Sequence, residues 1–305
     1  MINAIVTIPP YAPFIHEVAA HPLVSALRLN TVMPLRETPQ EVLARLATHG
    51  KPLWVDLKGR QLRVAGAAVP PYTEVRLSHP IEVETPARIW FGDGREAGVI
   101  AACEGDRLIL EDGPRRLIGP GESVNIDPAP RVLGTLTYTD RAYLAAMRAL
   151  GLLHVMLSFA EEPGDARDVR EHLPHCELML KIESMRGVDF ARRGAVEHGR
   201  LMAARGDLYV ELLRPERMVS ALRDIVAADP NAVVASRLFS SLAYGEAPQA
   251  ADISDVAWLM GLGFQTFMLG DEVCLRRDSV MAALDLLGRV AAEMELAPAR
   301  RRRAA

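Results

Sequence analysis

The chain is poor in the features that assign a function at once. It has three cysteines in 305 residues. Cys103, Cys176 and Cys274 are odd in number, far apart and without C-x-x-C spacing, so neither a disulfide framework nor a zinc site is expected and a cytoplasmic location suits them. No apolar stretch reaches the roughly 18 residues a membrane-crossing helix needs, and MINAIVTIPPY has no basic leader, so no signal peptide or span is expected. Charge of one sign is also lacking. Thirty-five basic against 39 acidic side chains leave a net charge of -4, which offers no long-range attraction to nucleic acid or anionic lipid. The eight histidines show neither H-x-x-x-H nor H-E-x-x-H spacing. There is no G-x-x-x-x-G-K-[ST] run and no G-x-G-x-x-G after a strand, which disfavours zinc hydrolase, P-loop and Rossmann chemistry. No internal repeat is present.

What is present is a core. Half of the residues are apolar, and a chain of this length can bury one large barrel or two modest domains. Short apolar runs at 4–8, 23–29 and 53–57 read as strands, with an amphipathic helix over 39–49 closed by Gly50. From about Val64 to Arg131 the pattern changes. Pro70-Pro71, Gly92-Asp93-Gly94, Gly105-Asp106 and Gly119-Pro120-Gly121 punctuate short runs, the density of turns expected of a compact β module. The alternation then resumes. Strands are expected at 154–159, 177–182, 201–204, 232–236 and 266–269, and helices at 139–151 (capped by Thr139-Asp140), 165–173, 215–228, 252–261 and 279–295. About eight strands outside the insert predict a (β/α)8 TIM barrel. The division is residues 1–63 and 132–305 for the barrel and 64–131 for a small β-barrel-like lid; an open doubly wound sheet is the rival. Arg300 to Arg303 reads as a solvated basic end, and Met156, Met179, Met202 and Met268 as core.

Function in such a barrel gathers at the carboxyl ends of the strands. Polar residues close several runs: Arg28 and Asn30, Asp56 and Lys58, Lys181 and Glu183, Asp207, Ser236 and Arg237, Asp271 and Glu272. Lys181 and Glu183 are two apart on an extended segment, so both side chains enter the same lumen. Asp207, ending the next strand, can approach Glu183. Two hard carboxylates with room for water suit Mg²⁺, and a lysine beside them can neutralise charge on a phosphoryl group or an enolate. Taken alone, the lysine and glutamate are an ordinary rim ion pair.

The surrounding text weights the other reading. LMLKIESMRGVDF resembles the pyruvate kinase segment S-K-I-E-N-x-x-G-V, and RLMAARGDLYVEL resembles M-V-A-R-G-D-L-G-V-E. RLN at 28–30 is similar to the opening of R-M-N-F-S-H-G, VDLKGRQLR to L-D-T-K-G-P-E-I-R, VVASRLFSSL to C-A-T-Q-M-L-E-S-M, PQAADISDVA to P-T-R-A-E-x-S-D-V-A, and FMLGDE to M-L-S-G-E. In the insert, FGDG at 91–94 resembles V-D-D-G and ESVNIDP resembles K-G-V-N-L-P. The resemblance runs in order from about residue 4 to residue 290. It implies a phosphoenolpyruvate/pyruvate-type barrel with an inserted β domain after the third strand. It implies Mg²⁺ or Mn²⁺ on Glu183 and Asp207, and Lys181 stabilising the transferred phosphoryl group and the enolate. Arg28 would contact the phosphoryl group, the Gly206 and Asp207 amides the substrate carboxylate, Ser236 the enolate carbon, and Arg63 the nucleotide. Asn30 and Asp56 match monovalent-cation positions.

The departures are informative as well. Val32 replaces a serine ligand of the monovalent ion, so K⁺ activation is not expected. Arg237 replaces glutamine and adds a charge near the substrate pocket. Arg60 replaces proline, Gln61 replaces glutamate, Thr7-Ile8-Pro9-Pro10 stands for T-I-G-P, and Val273 stands for threonine. The C-terminal regulatory domain usual in the family is expected to be absent. The leading expectation is Mg-dependent phosphoryl transfer from phosphoenolpyruvate to ADP or another acceptor, through an enolpyruvate intermediate. The alternatives are a metal-dependent lyase or aldolase on a pyruvate-type 2-keto acid and a non-catalytic ligand-binding homologue. Partners are small molecules, including ADP or ATP, and a homo-oligomer is compatible with barrel packing.

Overall fold

The structure, a computed structural model, describes residues 2–33, 35–92, 96–212, 214–245 and 247–303, with side chains through residue 295. Eight parallel strands close into a barrel: β1 (Asn3–Thr7), β2 (Val24–Asn30) and β3 (Leu53–Leu57) before the insert, and five more after it. The insert holds β4 (Glu74–Arg76), β5 (Ile81–Glu82), β6 (Ala87–Phe91), β7 (Glu96–Glu104), β8 (Arg107–Leu110), β9 (Val124–Asp127) and β10 (Arg131–Val132). The barrel resumes with β11 (His154–Leu157), β12 (Glu177–Ile182), β13 (Arg200–Ala204), β14 (Val233–Ala235) and β15 (Thr266–Leu269). β11 pairs with β3 and β15 with β1, so the barrel closes across the insertion with no strand missing. The eight-stranded expectation holds over the open-sheet rival.

The insert's strands pair antiparallel in the order β4-β8-β7-β6-β9, with β5 and β10 as a separate ribbon. Leu62, Val75, Ile89, Phe91, Ile100, Leu108 and Ile126 are buried in a core of their own, separate from the barrel's. Within 91–94, residues 93 and 94 lie outside the described residues.

Alternation along the barrel strands makes two further cores. Outward-facing residues such as Leu27, Val55, Leu180 and Leu269 pack under the helices. Inward-facing Ile5, Ala26, Trp54, Met156, Met179, Met202, Val233 and Met268 fill the lumen, so the barrel is plugged. Because side chains alternate with period two, the residue two further along each strand lies one layer up. Thr7, Arg28, Asp56, Ser158 and Lys181 follow Ile5, Ala26, Trp54, Met156 and Met179 in this way. A polar layer thus rests on an apolar floor.

Helix ends explain several boundary differences. The helix Tyr138–Leu150 is capped by Thr137, not Thr139: its side chain accepts from the Asp140 amide, and Asp140 reciprocates, a capping box. The final helix runs Arg277–Arg303, so the basic end continues a helix. Short helices at Ile15–Ala20, Met185–Arg192, Ser241–Tyr244 and Asp271–Cys274 were not anticipated, whereas Arg205–Glu211 begins where the Gly206 and Asp207 amides were expected at a helix start. They sit in loops, and all are under three turns, too short for a clear 3.6-residue period.

Arg60 holds the insert at its base. Its guanidinium reaches Asp165 Oδ1 and Glu162 Oε1, each at 2.6 Å, and donates to the Val132 carbonyl at 2.9 Å. One side chain therefore ties the chain entering the insert to the chain leaving it, and both to the helix Pro163–His172. Asp165 is fully buried and also accepts from Thr135 Oγ1 at 3.0 Å and the Glu161 amide at 2.8 Å. No helix among the described residues is long and apolar enough to cross a membrane.

Candidate functional site

A cavity of about 490 Å³ opens over the polar layer, at the carboxyl ends of the strands, and the candidate residues Arg28, Asn30, Asp56, Arg63, Lys181, Glu183, Gly206, Asp207, Ser236 and Arg237 all line it. The structure brings these ten residues together from five strand ends and the base of the insert.

Lys181 lies at its centre. Its ammonium is 3.2 Å from Asp56 Oδ1, 3.1 Å from Glu183 Oε1 and 2.7 Å from Ser158 Oγ. Burial is the largest single influence on this lysine and opposes its charge, but Asp56 and Glu183 outweigh it and hold its pKa above the ordinary value. Arg28 forks onto Asp56 Oδ2 with Nε at 2.7 Å and Nη2 at 2.5 Å, and donates to Thr7 Oγ1 at 2.8 Å. Asp56 is 3 % exposed. Burial again works against its charge, yet Lys181 and Arg28 together keep its carboxyl below the usual range.

Glu183 behaves differently despite its lysine. Burial raises its pKa to about 7, opposed by Lys181 and reinforced by the negative charges of Asp207 and Asp56. One ammonium cannot neutralise Asp56 and Glu183 at once. The geometry accounts for both directions: Asp56 has two cations and stays charged, whereas Glu183 shares one. Glu183 Oε2 also accepts from the Phe159 amide at 2.9 Å, which fixes the carboxyl plane. Among the described residues no group of three or more His, Cys, Asp or Glu could hold a metal ion by itself. An ion bound to Glu183 and Asp207 would complete its shell from ligand and water, the habit of Mg²⁺. Two carboxylates destabilising each other across one cavity fit a divalent cation.

The monovalent-ion expectation takes a specific form. Asp56 is occupied by Arg28 and Lys181, and Asn30 donates to Asp271 Oδ2 at 3.0 Å while its own Oδ1 accepts from the Val32 amide at 3.1 Å. Both expected monovalent-ion residues are thus engaged by groups of the chain itself.

At the far wall, the helix Arg205–Glu211 approaches Ser236 so closely that a Cβ on Gly206 would sit 3.4 Å from Ser236 Cβ and Oγ. Ser236, Arg237 and Phe239 adopt φ of 69°, 57° and 52°, a left-handed run that costs about 1–3 kcal/mol per residue and persists where surrounding contacts over-determine it. Arg205 supplies such a contact at Ser236. Buried and paired with Asp255 at 2.7 and 2.8 Å, it donates to the Ser236 carbonyl at 3.2 and 2.8 Å. Arg63 is tied within the protein, with Nε donating to Gln61 Oε1 at 3.0 Å and Nη1 to the Gly121 carbonyl at 2.6 Å; Gln61 in turn donates to Asp207 Oδ2 at 3.2 Å. Gln61 thus bridges the insert to the proposed metal ligand.

Two residues were missed from the sequence, Ser158 and Arg205. The strand-end rule would have found Ser158, since it closes the apolar run HVML. Arg205 lies inside A-R-G-D-L but reads as the first residue of a helix.

No family model matches the chain. Sequence comparison finds pyruvate kinases. That of Borreliella burgdorferi is 23% identical over 279 residues, 82% of this chain and 58% of the relative. That of Mycobacterium intracellulare is 29% identical over 274 residues, 84% of this chain and 56% of the relative. That of Mycobacterium tuberculosis is 28% identical over 218 residues, 68% of this chain and 45% of the relative. The chain is similar in sequence to pyruvate kinases. It spans about half the length of these curated relatives. Among solved structures, Cryptosporidium parvum pyruvate kinase superposes with a TM-score of 0.80 at 19% identity, covering 96% of this chain and 70% of that one. That likeness establishes the shared fold.

Set beside the pyruvate kinase motifs, two more departures emerge. Glu122 stands at the lysine of K-G-V-N-L-P and pairs with Arg116 at 2.7 Å. Tyr209 stands at the second glycine of A-R-G-D-L-G-V-E, and its ring lies 4.5 Å beneath the Arg237 guanidinium.

Proposed function

We propose that this chain is a pyruvate kinase-like phosphotransferase that moves a phosphoryl group from an enol phosphate of the phosphoenolpyruvate type to ADP or another acceptor, with a divalent ion held by Glu183 and Asp207. The observation that carries this reading is the buried Lys181 ammonium, held charged by Asp56 and Glu183 at the floor of the cavity. Arg28 is fixed beside it by Asp56. Two preorganised cations over a dry floor stabilise the oxygens of a phosphoryl group or of an enolate without reorganising as charge develops. Ser158 keeps Lys181 aimed, and Arg205 keeps Ser236 at the far wall. Mg²⁺ or Mn²⁺, when bound, supplies positive charge to the same oxygens. The segment 64–131 serves as a lid, tethered through Arg60.

The test is pyruvate formation from phosphoenolpyruvate with Mg²⁺ or Mn²⁺ and ADP, in the presence and absence of K⁺. Turnover that Lys181→Met lowers by about a hundredfold or more supports the reading, and indifference to K⁺ is the result expected from Val32 in place of the serine ligand. A wild-type protein that forms no pyruvate with any acceptor overturns it.

A second reading, a lyase or aldolase on a pyruvate-type keto acid, is favoured by the nucleotide side, where Arg63 is engaged by Gln61 and Gly121 and an acid replaces the motif lysine at Glu122. Failure to bind ADP together with metal-dependent exchange of the pyruvate methyl protons would select it.

A further inference from the structure

Beyond the site lies a second cavity of about 680 Å³ between the insert and the barrel, bounded by Trp90, Asn125, Arg186, Tyr209 and Glu211. Val210 and Arg237 line both cavities, so they form the ridge between them. The charged groups of the second cavity are mostly engaged. Arg60 is paired with Asp165 and Glu162, Arg186 donates to the Pro130 and Ala129 carbonyls at 2.9 and 3.2 Å, Glu161 accepts from Ser184 at 2.5 Å, and Glu211 accepts from Asn125 at 2.5 Å.

Arg237 differs. It is exposed, and among the described residues no carboxylate or carbonyl receives its guanidinium; its one contact is the face of Tyr209 at 4.5 Å. A stacked guanidinium keeps its in-plane N–H groups available and has already lost much of its rotamer freedom, which suits forked recognition of a carboxylate or phosphate. Both partners of this contact depart from the quoted motifs, where glycine and glutamine stand. The left-handed backbone at Ser236 and Arg237, clamped by Arg205, aims the side chain at the ridge.

We propose that Arg237, backed by Tyr209, is a specificity-determining site for a second anionic group, carboxylate or phosphate, on a ligand whose enol-phosphate or keto-acid end lies against Lys181. This rests on the reading above, and it makes the ligand a dianionic keto acid or enol phosphate longer than phosphoenolpyruvate, reaching from the first cavity onto the ridge.

Calorimetric titration with Mn²⁺ present tests it, using pyruvate, α-ketoglutarate for a second carboxylate, and phosphonopyruvate for a phosphonate. Wild-type protein is expected to bind at least one dianion about tenfold more tightly than pyruvate, a typical return for one charge-assisted pair, and the probe preferred identifies the anion. In Arg237→Gln that ratio falls about tenfold. Tyr209→Phe, which keeps the aromatic face, retains it, and Tyr209→Gly lowers it severalfold. Pyruvate binding with no preference for either dianion, or a preference that survives in Arg237→Gln, overturns the ridge site and leaves the phosphotransferase reading standing. Absence of binding by all three probes overturns that reading, and the ridge site with it.

Discussion

Asp56→Asn isolates the electrostatics of the site. In the wild type Asp56 Oδ2 receives both Nε and Nη2 of Arg28, at 2.7 and 2.5 Å, while Oδ1 faces the Lys181 ammonium at 3.2 Å and Ser158 Oγ at 3.4 Å. Asparagine keeps one acceptor. If its oxygen serves Arg28, its amide donors oppose the Lys181 ammonium, and two buried cations are left with Glu183 and the more distant Asp271, 3.4 Å from Arg28. Removing one partner of such a buried network costs about 3–5 kcal/mol. Lys181→Met is expected to cost less, because Asp56 keeps Arg28 and Glu183 is readily neutralised by a proton. Urea unfolding measures both, in a background where Trp90 and Trp258 are replaced by phenylalanine so that Trp54, in the lumen floor, reports on the barrel. The carboxyl of Asp56 is held below its ordinary value. Its contribution is therefore present above the unfolded pKa and lost as pH falls through the folded one, so the asparagine deficit should shrink below about pH 4; measured in a Glu183→Gln background, which removes the titration near 7, it should be constant from pH 6 to 8. A deficit under about 1 kcal/mol, or a larger one for Lys181→Met, refutes the reasoning.

Three further predictions concern neighbouring groups. Glu183→Gln reverses the pH trend: burial raises the Glu183 pKa to about 7, so its stabilising share is present below the unfolded value and lost as pH rises through 7. With chelator present, the wild type should lose about 1–3 kcal/mol between pH 5 and 8.5 that the variant does not; parallel urea curves for the two would contradict this. Gly59→Ala forces a side chain onto a backbone of φ +52° with its Cβ 2.3 Å from the Ser158 carbonyl oxygen. It should cost at least about 2 kcal/mol in thermal or urea unfolding, and a neutral result would mean the turn is built differently. Arg60→Met removes the clamp on both passages into the insert and should speed limited trypsin cleavage near residues 63 and 131 severalfold at constant barrel circular dichroism; an unchanged digestion pattern would exclude the tether.

The barrel was legible because each strand is a short apolar run bounded by turn residues, and because eight of them remain once the turn-rich segment is set aside. The site was legible for the same reason: Lys181 and Glu183 share a face by strand parity, whatever surrounds them. Local pattern failed where a feature is made by contacts distant in sequence. Ser158 is an unremarked serine until Lys181 points at it, and Arg205 looks like a helix-start residue until Asp255 and the Ser236 carbonyl converge on it. Tyr209 and Arg237 are adjacent only because β13 and β14 pair in the barrel. The helix cap was misplaced by two residues because Thr137 and Thr139 are chemically equivalent, and only the reciprocal bond from Asp140 distinguishes them.

The methionines beneath the site have a consequence of their own. Met156, Met179, Met202 and Met268, from four strands, fill the lumen with unbranched, deformable side chains. A floor of that kind accommodates shifts of the strand ends above it without opening voids. Substitutions at the rim above, such as those at positions 32 and 237, can then redraw what the mouth of the barrel recognises while the lumen repacks beneath them. The softest part of the interior lies directly under the polar layer of Arg28, Asp56 and Lys181, and the departures from the quoted motifs ring the mouth above that layer.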